Sequence, residues 1–113
     1  MFLKEPVSID FDLFFSGLRE MKALPYCNET SFCIESDPEY SDCWLGCLDG
    51  EKPYWFGLPG GNSRHLDFAS AEELVEARVF NGHSLRELWP RVRFYAIGDI
   101  DPVSWLIHNT QPN

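Results

Sequence analysis

The chain has 113 residues, of which 44% are hydrophobic and 15% aromatic, and its formal net charge is −9. That length suits one domain over residues 1–113 with a sizeable core, the composition excludes disorder, and no apolar run approaches the ~18 residues of a membrane span. The charge argues against a nucleic-acid ligand: residues 1–51 hold eleven acids against three bases, and no Lys or Arg occurs between Lys22 and Lys52, a field that repels phosphate backbones.

At the N-terminus Lys4 is accompanied by Glu5, Asp10 and Asp12, and no long apolar core runs to a small-residue cleavage site. A secretory signal is therefore not expected, and the cytoplasm is the expected compartment. Phe11, Phe14, Phe15, Leu18 and Met21 follow the spacing of one helix face, which predicts a helix over 11–22. Asp10 can cap it, Asp12 lies in its first turn, Arg19 and Lys22 lie near its end, and Pro25 stops it. Its phenylalanines read as core.

A short strand is expected over Ser31–Glu35, followed by a polar loop around Asp37-Pro38, since proline cannot donate to a ladder. Cys43–Leu48 and Tyr54–Leu58 are apolar at odd and even positions alike, and Asp49–Pro53 between them supplies a glycine and polar residues. They read as an antiparallel hairpin of buried strands, which needs cover on both faces from the helices and remaining strands. Pro59–Ser63 is a turn lacking the spacing of a phosphate loop, and Arg64–Phe68 is a further strand.

Ser70-Ala71-Glu72-Glu73 is a capping box that predicts a helix ending near Asn81-Gly82, and Ser84-Leu85-Arg86-Glu87 repeats it for a second, shorter helix that Pro90 stops. Arg91–Ile97 alternates as a half-buried strand. Val103, Trp105, Leu106 and Ile107 should pack on the core as a turn of helix or an edge segment, with fraying beyond His108. The fold expected is α+β: a single antiparallel sheet of four or five strands, with the N-terminal helix and the 70–89 helix pair packed on it.

Chemistry is harder to find. Cys27, Cys33, Cys43 and Cys47 are separated by five, nine and three residues. Only the last pair approaches zinc spacing, and positions four apart in a strand are ~13 Å from one another, so buried free thiols are favoured over a zinc site or a disulfide. His65, His83 and His108 have no partner at ligand spacing, and no nucleophile and base constellation is recognisable. An enzyme is not expected, and neither is a cofactor or a bound metal.

The base-free stretch Glu29–Glu51 reads either as a solvated face or as a patch for a basic protein partner, with Glu35, Asp37, Glu39 and Asp42 as its contacts and Tyr40 as an aromatic anchor. Asp67–Leu74 and Phe80–Trp89, in a small acidic chain without catalytic signature, resemble the immunity proteins of bacterial toxin systems. The resemblance implies a stoichiometric inhibitor of a toxin domain, often a basic nuclease, acting in the cytoplasm. The residues that carry it are capping and packing residues, so it transfers no functional position. Two alternatives stand beside it: a small ligand-binding domain or enzyme with a pocket lined by Trp44, Trp55 and Arg64, and a subunit of a homo-oligomer. The oligomeric state is left open.

Overall fold

The computed structural model describes residues 6–20, 29–48, 50–59, 64–98 and 100–110. The expected helix end at Lys22 and Pro25, Cys27, most of the Pro59–Ser63 turn and the end of the tail lie outside these residues.

Five strands, β1 (Thr30–Ile34), β2 (Cys43–Cys47), β3 (Tyr54–Leu58), β4 (Arg64–Phe68) and β5 (Val92–Ala96), form one antiparallel sheet in the order β4-β3-β2-β1-β5. The expected hairpin supplies two of its three inner strands, with Leu45 opposite Phe56 and Cys47 opposite Tyr54. Its loop closes where the Leu48 N–H donates to the Pro53 carbonyl at 2.7 Å, and Gly50 takes φ 138°, a conformation open to a residue without a Cβ. The mixed α+β architecture is the one the sequence predicts.

The two-residue period of the strands sorts their side chains. Phe32, Ile34, Cys43, Leu45, Phe56, Val92 and Phe94 face one side and are at most 1% exposed. They share a single cluster with Phe14 and Leu18 of helix α1 (Phe11–Glu20), Leu74 and Val75 of α2 (Ala71–Glu76) and Trp105 of α3 (Pro102–Thr110). All three helices thus bury their apolar residues on the same side of the sheet. Phe32 is at the centre, with the rings of Phe56, Phe80 and Phe94 each 6.1–6.3 Å away.

The opposite side differs from expectation: the described helices do not cover it. It carries Trp44 at 37% exposure, half-buried Trp55, His65 and Asp67. Local composition explains how two apolar strands tolerate this. Gly46 and Gly57 occupy the same side as the two tryptophans, and a ring carbon of Trp55 lies 3.5 Å from where a Gly57 Cβ would stand. The side chains of the strands cover their own glycines.

Helix α1 starts as expected, with the Leu13 N–H donating to the Asp10 carboxylate at 3.1 Å. The Tyr54 hydroxyl donates to the Leu18 carbonyl at 3.2 Å and ties this helix to β3. In α2 the Ser70 hydroxyl accepts from the Glu73 N–H at 3.1 Å, while the Glu73 carboxylate reaches one residue further back, to the Ala69 N–H at 2.9 Å.

Helix α2 is shorter than the pattern suggests and ends at Glu76, with extended Ala77 as its C-cap. The chain must leave the helix there to bring Phe80 into the core against Phe32, Tyr40 and Phe56. Asn81 and Gly82, at φ 54° and 88°, are therefore the two central residues of a tight hairpin turn between Phe80 and His83, not a helix end. The second capping box closes reciprocally: the Ser84 N–H donates to Glu87 Oε1 at 2.9 Å, and the Glu87 N–H donates to Ser84 Oγ at 3.1 Å. It caps one turn and not a helix, because Pro90 has no N–H to continue the ladder and the chain passes into a 3₁₀ turn at Trp89–Arg91.

Candidate partner-binding site

The segment joining β1 to β2 carries Glu35, Asp37, Glu39, Tyr40 and Asp42 in one tight turn. Ser36, at φ 66°, reverses the chain, and the Asp37 N–H donates to the Ile34 carbonyl at 3.1 Å. Asp37 then caps the 3₁₀ turn Pro38–Tyr40 by accepting from the Glu39 N–H at 3.1 Å. Aspartate suits this place because its short side chain bonds the backbone two residues on.

Tyr40, expected as an aromatic anchor, faces the core in the free chain. It is 2% exposed and packs edge-on to Phe80, with ring centroids 5.1 Å apart. In i, i+2 terms it is the inward-facing member of a turn whose neighbours face water, so it roots the turn in the core. The exposed aromatic beside the acids is Trp44, whose indole N–H donates to the Asp42 carboxylate at 3.1 Å. Strand logic hid it, since an apolar run on both phases reads as buried. The signal was the glycine in phase with it, at Gly46, which marks a side of the strand without bulky packing.

The four carboxylates differ in what they meet. Glu35 pairs with Arg93 at 3.3 Å, and the Arg91 guanidinium donates to the Glu35 carbonyl at 2.9 and 3.1 Å. Asp37 accepts from a backbone amide, Glu39 from the Asn81 side-chain amide at 2.9 Å, and Asp42 from the Trp44 indole. Neutral donors fix these three groups in place and leave their charge uncompensated by those contacts.

The resulting field reaches the neighbouring titratable groups. Burial, reinforced by the charges of Asp42, Cys33 and Asp37, pushes the Cys43 thiol up to about 12. Its hydrogen bond with Cys33, then burial and the charges of Cys33, Asp42 and Cys43, push the Tyr95 phenol up to about 12. Cys33 and Tyr95 also help to wall an open depression of about 460 Å³, with Ile34, Pro38, Glu35 and Asp37 among its further lining.

The other sequence-derived candidates do not assemble as expected. Trp44 and Trp55 share the helix-free side of the sheet, but Arg64 pairs with Leu58 and so stands out of phase with both. Trp55 instead stacks on His65, at 5.9 Å and 17°, and His65 bonds Asp67 at 2.9 Å. Cys33, Cys43 and Cys47 are buried cysteines outside any disulfide. Among the described residues no three His, Cys, Asp or Glu side chains are grouped as metal ligands, and no helix is long and apolar enough to cross a membrane. No protein-family model, curated protein or solved structure matches the chain.

Proposed function

We propose that this chain is a stoichiometric protein-binding protein that engages a basic partner through the 35–44 turn and, in line with the resemblance of its 67–89 segment, a cytoplasmic immunity protein that neutralises a bacterial toxin domain. The observation that carries the reading is the pairing of an exposed Trp44 with the carboxylates of Asp37, Glu39 and Asp42 on a turn rooted by Tyr40. An aromatic held by a hydrogen bond offers contact area at low entropic cost, and surrounding like charges speed encounter with a basic surface. Both groups are fixed before binding, so little ordering is required of this side of the interface. The reading assigns the protein no catalytic step.

The test is affinity capture from a lysate of the source organism, comparing wild type with Trp44→Ala and with Glu39→Lys/Asp42→Lys. The expected result is one basic partner captured in 1:1 ratio by wild type, with its toxic activity blocked. Trp44→Ala should shorten the lifetime of the complex, and the double reversal should slow its formation and reduce its salt dependence. Equal capture of the same partner by all three proteins would exclude this turn as the interface.

A further inference from the structure

We propose that the edge of β4 facing away from β3 pairs antiparallel with β4 of a second copy of the chain, centred on Leu66, so that two five-stranded sheets join as one. The two edges of the sheet are treated differently. At the β5 edge Val7 exchanges both backbone hydrogen bonds with Phe94, at 3.0 and 2.8 Å, and so closes the middle of that strand. At the other end β4 pairs only with β3 among the described strands. Natural edges are blunted by proline, by charged residues (lysine above all), by shortness or by a bulge. β4 is short and carries the charged residues Arg64 and Asp67, but it has no proline or lysine, and its five pairs with β3 run without a register break.

The sequence of β4 is self-complementary about its centre. A two-fold axis at Leu66 overlaps all five residues, and it sets His65 opposite Asp67 of the second copy and Asp67 opposite His65 of the second copy. Both side chains are available, at 60% and 49% exposure, and they already form a 2.9 Å contact within one strand. An axis at His65 or at Asp67 would instead place like beside like and shorten the overlap. Opposed unlike pairs across antiparallel strands favour a register, and like charges disfavour it. An isologous contact of this kind closes on itself as a dimer. Trp55, stacked on His65, would continue the joined face on either side of the axis.

The acidic turn does not oppose this arrangement strongly. It joins β1 to β2, two to three strands away from β4, which is ~10–14 Å at ~4.8 Å per strand and exceeds the ~8 Å over which charges act at physiological ionic strength.

Sedimentation equilibrium of the whole chain from about 10 µM to about 1 mM, where weak self-association is measurable, tests this together with amide hydrogen exchange at both ends of the range. The expected result is a monomer–dimer equilibrium in which exchange at 64–68 slows with concentration while exchange at 92–96 does not. His65→Asp sets Asp against Asp and should weaken association roughly tenfold. Adding Asp67→His restores unlike pairs, and should recover wild-type association to within about threefold. Circular dichroism checks that each variant is folded, and the restored double variant keeps the test decisive if His65→Asp alone is not. A monomer at every concentration overturns the proposal. So does a dimer indifferent to the single exchange, or one whose protection falls on 92–96 or 35–44.

Discussion

The two sides of the sheet are built from the same strands, yet they obey different rules. On the helix-covered side Phe32, Phe56 and Phe94 are fully buried and meet Phe80 and Phe14, so each ring contributes area and edge contacts to one cluster. On the other side Trp44 and Trp55 alternate with Gly46 and Gly57, and the groups nearest them are His65, Asp67 and Asp42. Apolar character alone therefore does not say that a residue is core. A large aromatic beside glycines on a strand can cover backbone and still present a face to a partner, whereas one beside branched and aromatic neighbours cannot.

That contrast is most exposed to failure at Phe32. Phe32→Ala should cost ~3–5 kcal/mol, because the three rings around it cannot all collapse into the space left. Against the ~5–15 kcal/mol that holds a domain of this kind, the variant should be near its unfolding midpoint in mild denaturant. A loss below ~1 kcal/mol would mean that the centre of the cluster lies elsewhere.

Cys43 sharpens the same point through pH. Its thiol lies on the covered side, with a pKa raised from 9.0 to about 12. The unfolded chain releases this proton first, so the contribution is present in full below pH 9 and is lost as pH rises from there through about 12. Wild type should lose melting temperature over that window, and Cys43→Ala should lose less of it. Parallel curves for the two proteins would place the thiol in contact with water.

Strand positions were largely legible, because alternation over Val92–Ala96 and the two apolar runs each mark a strand, whereas the exposed face of β2 was not, since a run apolar on both phases does not say which side is covered. The site was less legible. Glu35, Asp37, Glu39 and Asp42 do fall in one turn, but whether Tyr40 faces water depends on a 3₁₀ turn and on Phe80, forty residues away, which no local pattern reports. The helix pair failed for a related reason. Propensity favoured continuing α2 past Glu76, and the core's demand for Phe80 overrode it.

The cover itself is open to test at its first residue. Ser70→Ala removes the bond to the Glu73 N–H and should cost ~0.5–2 kcal/mol. In a domain of this size that corresponds to several degrees of melting temperature, read by calorimetry. Trp44→Ala should cost less, about 1 kcal/mol or below, since its indole is partly in water and its hydrogen bond goes to an exposed carboxylate. A Trp44→Ala loss that equals Phe32→Ala would remove the distinction between the two sides.

The smallest effect belongs to Glu87, which lies on neither side of the sheet and tests the capped turn that replaces the expected second helix. Its carboxyl is held below its ordinary value chiefly by the hydrogen bond from the Ser84 N–H, with Arg78 and the Ser84 hydroxyl assisting. A carboxylate lowered in the folded state stabilises it above the unfolded value of ~4.3, and that contribution disappears as pH falls through the folded value. Glu87→Gln retains an acceptor for the Ser84 N–H but carries no charge. Wild type should therefore melt slightly above the variant at pH 7, by a margin that salt reduces little if the backbone bond dominates and removes if the exposed Arg78 pair at 3.4 Å dominates. Once the pH has fallen below the folded value the two melting curves should converge. A gap that persists in acid would show that glutamine fails to close the box, and that shape rather than charge holds the turn.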